Sequence, residues 1–144
     1  MDDLDFLADA GTPAPNGALA RIRVAESLEA VRGDLLDWAA GALHNRRGHT
    51  AAYRGKKGLA QCRQDLDFHL RHLHAELAAG GGDLATYARW VLPMFAVRGQ
   101  APGDVRAGVQ VLVEALLRFL PADHSETAAA LLGAGFAEPV PGEP

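Results

Sequence analysis

Cys62, Asp65 and His69 are the residues of this chain whose types and spacing suit joint chemistry: a sulfur, a carboxylate and an imidazole at helical intervals. At 3.6 residues per turn, Asp65 and His69 fall within about 60° of Cys62, so the three can face one ligand. Leu66, Leu70, Leu73 and Leu77 lie about 20° to 80° round the other side, an apolar seam beside the polar stripe. A helix patterned in this way suits one wall of a pocket. Each residue also has a plainer reading. A lone cysteine is commonly a small core hydrophobe, an aspartate near arginines a surface ion pair, and a histidine a packed, hydrogen-bonded side chain.

The element carrying the stripe is the longest of those the pattern predicts. It runs from about Lys57 to Ala79 and stops at Gly80-Gly81-Gly82. Before it, Leu19, Ile22, Val24, Leu28 and Val31 repeat near a helical period over Ala18 to Arg32. After Gly33, Asp34 can cap a second helix through Leu35, Leu36, Trp38 and Leu43 to about His44, and Asn45 to Gly55 reads as a polar loop. Beyond the glycines, Asp83 caps a helix with Leu84, Tyr87, Val91 and Phe95 on one face and Pro93 as a kink. Pro102 and Asp104 open another, striped by Val105, Val109, Leu112, Leu116 and Leu120. Ser125 to Phe136 is the last. No useful length alternates with period two, so the expectation is all-α with about six helices.

Composition sets the frame. The chain has 144 residues, 49% hydrophobic and 22% charged, the size and core content of one globular domain. Residues 1–16, acidic and then rich in proline, read as a flexible arm, 17–137 as the folded domain and 138–144 as a flexible tail. One cysteine makes no internal disulfide, Met1-Asp2-Asp3 lacks the start of a signal peptide, and no run reaches membrane-spanning length. A soluble, cytoplasmic protein is expected. The net charge of −4 conceals a basic segment: Arg46, Arg47, Arg54, Lys56 and Lys57 occur with no acid between them. It leads straight into the helix bearing Cys62, so an anionic ligand there meets cations at its edge.

The run Cys62-Arg63-Gln64-Asp65, then Phe68-His69-Leu70-Arg71, Ala79-Gly80-Gly81 and Tyr87, resembles the bilin-attachment region of phycobiliproteins. Ala39-Ala40-Gly41-Ala42-Leu43-His44-Asn45 and Tyr53-Arg54-Gly55-Lys56-Lys57 are similar to the family's approach to that region, and the resemblance covers most of Ala18 to Phe136. Two departures stand out. Gln64 occupies the place of the family's usual arginine, with Arg63 one residue earlier and about 100° from Cys62 on an ideal helix. The amino-terminal segment is too short for the two helices that assemble antenna rings. The nearer resemblance is to the stand-alone bilin biosynthesis-associated globins, which implies a globin-like fold of the phycobiliprotein type without assembly helices.

That resemblance implies a linear tetrapyrrole, biliverdin or a reduced bilin such as phycocyanobilin, which the protein carries, sequesters or senses with rather than transforms. On the residues' own chemistry, Asp65 can accept the pyrrole N–H bonds and favour the protonated chromophore, with His69 beside it. Cys62 can add to an electrophilic ring substituent. Tyr53, Tyr87, Trp90 and Trp38 offer aromatic surface, and Arg54, Lys56, Lys57 and Arg63 can pair with the propionates. Bilin-biosynthetic proteins are the partners the resemblance implies, and a homodimer through apolar seams stays open.

Other readings compete. A haem globin needs a histidine on the helix after the long one, and Asp83 to Arg98 contains none. His69, His72 and Glu76 share a face at metal-ligand spacing but no second cluster completes a site. The basic loop lacks a recognisable nucleic-acid reading element. The alternative within the fold is a pigment-free sensory or interaction globin, in which Cys62 and Asp65 are structural.

Overall fold

A computed structural model describes residues 15–80 and 82–137, so the tail over 138–144 and all but the last two residues of the arm expected over 1–16 lie outside it, and those two, Pro15 and Asn16, are helical. The described residues form five α-helices and no strand: α1 Pro15–Arg47, α2 Gly55–Ala79, α3 Asp83–Val97, α4 Pro102–Phe119 and α5 Ala122–Gly135. None is long and apolar enough to cross a membrane.

The count of six helices is corrected to five, because the two expected over 18–44 are one. Gly33 and Asp34 do not end the first segment; the helix passes through them, exposed, and continues to Arg47. A glycine inside a helix costs about 1 kcal/mol. Leu28 on one side and Leu35, Leu36 and Ala39 on the other are all buried in the same core, and each buried leucine contributes roughly 1.5–3 kcal/mol. Tertiary burial outweighs the break.

α1 and α2 lie antiparallel, as their paired charges record: Asp37 with Arg63, Arg32 with Asp67, and Glu29 with His74 at successively earlier points on α1 and later points on α2. α4 lies against α1, tied by the fork of Arg46 on Glu114 at 2.7 and 2.8 Å and by Arg47 on Asp104 at 2.8 Å. α3 and α5 close the remaining sides of α2. α2 is therefore the central helix, and its buried face reads Gly58, Cys62, Asp65, Leu66, His69, Leu70, Leu73 and Leu77. The polar stripe and the leucine seam share one buried face.

Candidate functional site

Asp65 is 1% exposed, and four side chains from three parts of the chain converge on its carboxylate. Gln61, one turn earlier on α2, donates from Nε2 to Oδ1 at 2.7 Å, and Arg98 donates from Nη2 to the same oxygen at 2.9 Å. The Tyr53 hydroxyl donates to Oδ2 at 2.7 Å, and Gln100 donates from Nε2 to that oxygen and to the Tyr53 oxygen, each at 2.7 Å. A buried charge is stable only when paired and hydrogen-bonded, and here both conditions hold. The Tyr53 phenol is held well above the usual range, first by burial and then by the Asp65 charge, so it remains a donor.

Local backbone geometry delivers these donors. Tyr53 sits in the turn before α2, and Gly58 in the first turns of α2 lies so close to it that an added Cβ would fall 2.0 Å from the Tyr53 carbonyl carbon and oxygen. Only glycine fits there. At the other side, α3 ends and Gly99 adopts φ +83°, in the left-handed region that favours glycine. That turn brings Arg98 and Gln100 back onto α2. Arg98 also lies over the Phe95 ring at 4.5 Å from its centroid.

One turn along α2, His69 is equally buried and meets the Tyr87 hydroxyl through Nδ1 at 2.6 Å. Burial lowers the imidazole to about 4 despite the nearby Asp65 charge, so it is neutral at physiological pH. Its ring touches those of Tyr87, Phe95 and Phe136 at centroid distances of 5.6, 5.8 and 5.5 Å. His72 stacks on Tyr87 at 3.8 Å and bonds Asp83 through Nδ1 at 2.9 Å. Trp90, 43% exposed, stands edge-on to Tyr87 at 5.2 Å. Phe95 joins the two groups, with Arg98 on one side and His69 on the other.

Of the residues singled out in the sequence, the structure brings together Tyr53 with Asp65, and His69 with Tyr87 and Trp90. Cys62 shares their helix face but is fully buried in the apolar core. Burial, reinforced by the charges of Asp65 and Asp104, pushes its thiol up to about 12. Arg63 and Lys56 lie elsewhere on α2, on the walls of an open groove of about 400 Å³ that Asp37, Ala40, Leu59 and Ala60 complete. The Arg63 Nε donates to Asp37 at 2.9 Å, while Arg54 and Lys57 are exposed. Trp38 is turned towards α4, edge-on to Phe119 with Arg118 over its ring.

The histidine–glutamate set that suggested a metal is divided among separate duties. His69 bonds Tyr87, His72 bonds Asp83, and Glu76 accepts the backbone N–H groups of Gly82 and Leu84 at the start of α3. Among the described residues no group of three metal-binding side chains comes together.

Sequence reasoning missed Gln61, Arg98 and Gln100. Gln61 carried a usable signal, since it stands four residues before Asp65 on the same helix face. Arg98 and Gln100 bracket the glycine that stops α3, but nothing local says that their loop folds back onto α2. No known protein family matches the chain, and a search of characterised proteins also finds no match.

Proposed function

We propose that this chain is a pigment-free module of globin type, non-catalytic, whose polar centre holds the helices in register and whose work is done at its surface through protein contacts. The observation that carries this reading is the Asp65 carboxylate, both of whose oxygens are taken by Tyr53, Gln61, Arg98 and Gln100. A ligand seeking that carboxylate has to displace a guanidinium and an amide already at hydrogen-bond distance. The buried Cys62 supports the same reading, because a thiol pushed up to about 12 supplies almost no thiolate at neutral pH.

A second reading, a bilin carrier or sensor of the phycobiliprotein type, draws support from one specific arrangement. Arg98 and Gln100 reach Asp65 from a single glycine-hinged turn, and Tyr87, Phe95 and Trp90 stand on the same helix as that turn's root. Swinging this turn away would open Asp65 and His69 beside aromatic surface suited to a planar tetrapyrrole.

Titrating the full chain with biliverdin, phycocyanobilin and haem separates the two. The pigment-free reading expects free-solution spectra for all three and an unmoved unfolding temperature. A narrowed, red-shifted bilin band at equal stoichiometry overturns it in favour of the second reading, under which Arg98→Ala strengthens bilin binding.

A further inference from the structure

The open groove of about 400 Å³ between α1 and α2 has an apolar floor made of Ala40 from α1 and Leu59 and Ala60 from α2. The two alanines are too small to close the space between the helices, and Leu59 is left 41% exposed. On α2, Lys56, Leu59, Ala60 and Arg63 fall within about 100° of one another and span about 10 Å along the axis. The groove is therefore two helical turns long, apolar in the middle and flanked by a cation at each end. At one end the charge is already met, since the Arg63 Nε donates to Asp37 in the opposite wall at 2.9 Å. At the other it is not: Lys56 and its sequence neighbours Arg54 and Lys57 have no carboxylate within ion-pair distance among the described residues. The first turn of α2 holds no acid, and its N-cap residue Arg54 makes no side-chain cap bond. These cations therefore add to the positive end of the helix dipole, where a carboxylate is the favoured neighbour.

We infer that this groove binds an acidic helical segment of another protein, which lays large apolar side chains on Ala40, Leu59 and Ala60 and sets carboxylates against Lys56 and the start of α2. Charge complementarity selects the acids, because the cations at that end have no partner within the fold. The bare floor selects the apolar anchors, and its length of two turns matches the three- and four-residue spacing at which a helix presents them to a groove. Asp37 argues against a uniform polyanion. Its side chain, 69% exposed in the groove wall, repels a phosphate backbone, which also has nothing apolar to place on Leu59. This partner chemistry rests on, and deepens, the reading of the chain as a module that works through protein contacts.

The probe is a fluorescein-labelled helical peptide with leucines one turn apart flanked by glutamates, titrated with the full pigment-free chain and read by fluorescence anisotropy. Saturable binding that weakens with salt is expected, with backbone amide shifts confined to residues 37–40 and 54–63. Lys56→Glu and Leu59→Ser should each weaken it by at least about tenfold while thermal unfolding stays that of wild type, since both side chains are exposed. Arg23→Glu makes the same change in net charge at an exposed position of α1 about 21 Å along the helix from Asp37, and should leave binding unchanged. Absence of saturable binding, indifference to Leu59→Ser, or equal loss in Lys56→Glu and Arg23→Glu overturns the inference. So does a single-stranded oligonucleotide that binds the groove more tightly than the peptide, or self-association that Lys56→Glu abolishes, which assigns the groove to a second copy. The bilin titration reports on the module reading separately: a chain that takes neither bilin nor peptide loses this partner and keeps that reading, whereas a structured bilin band overturns the reading whether or not the peptide binds.

Discussion

Two faces of α2 carry polar side chains, and they have opposite fates. The inward face holds Asp65 and His69, each 1% exposed: four donors take the carboxylate, and the imidazole bonds the Tyr87 hydroxyl and lies against the rings of Tyr87, Phe95 and Phe136. The outward face holds Lys56 and Arg63 on an open groove with Lys57 exposed nearby in sequence, and of the three only Arg63 has an ion-pair partner among the described residues, the exposed Asp37. Polar groups at catalytic-looking spacing are therefore the ones committed to holding the fold, and the ordinary surface cations are the ones still able to meet something new. Buried polar groups without partners cost far more than exposed ones, so burial itself selects for internal satisfaction.

The largest effect should come from breaking the inward set at its hub. Asp65→Ala leaves Tyr53, Gln61, Arg98 and Gln100 without their common acceptor and strands a part-buried guanidinium, at an expected cost of about 3–5 kcal/mol. Urea unfolding monitored by circular dichroism reads this directly. A loss below about 1 kcal/mol would mean that the inward face is no more committed than the outward one.

The comparison sharpens with pH. The folded imidazole of His69 is lowered from its ordinary 6.5 to about 4, chiefly by burial. Between those values the unfolded chain binds a proton at this site that the folded chain does not, so stability falls as pH drops from about 6.5 towards 4 and is level above. The loss from this one group is on the order of 3 kcal/mol across the window. His69→Gln should lower stability at pH 7 and flatten this part of the profile, whereas Lys56→Gln should leave the profile's shape intact. Identical slopes for wild type and His69→Gln would remove His69 as the acid-sensitive element.

How far the sequence discloses this molecule depends on how local each determinant is. The apolar stripes of α3 and α4 are visible as periodicity because one face of each meets a single core. The continuity of α1 is not, since glycine and aspartate there have terminator chemistry and only contacts with α2 and α4 override it. At the polar centre, Asp65, His69 and Tyr87 stand out by type and spacing. Their roles do not, because spacing along α2 tells which side chains share a face but not whether that face meets water or Leu112. The donors Arg98 and Gln100 come from a loop more than thirty residues downstream, a closure that only the folded chain makes.

Gly58 belongs to the inward set though it has no polar side chain. Because a Cβ there collides with the Tyr53 backbone rather than with a flexible side-chain end, Gly58→Ala must push the turn away from α2 and pull the phenol from Asp65. A cost of about 2 kcal/mol is expected, the usual range for overpacking. Loss should extend to the Asp65 site: combined with Tyr53→Phe, the two costs should sum to less than their separate values, since both break the same hydrogen bond. Strict additivity in that double-mutant cycle would show that Gly58 serves packing alone.

The smallest effect belongs to the outward face, and its smallness is the point of the comparison. Lys56→Gln removes a cation that is exposed, lines the groove and holds no ion pair among the described residues. Fold stability should change by less than about 0.5 kcal/mol, as for surface substitutions away from caps, cores and networks. The urea midpoint and its slope should match those of wild type, because neither the buried area nor the polar centre is touched. If instead Lys56→Gln destabilised the fold as much as Gly58→Ala does, the groove cations would be part of the internal framework, and the division of α2 into a committed face and an available one would fail.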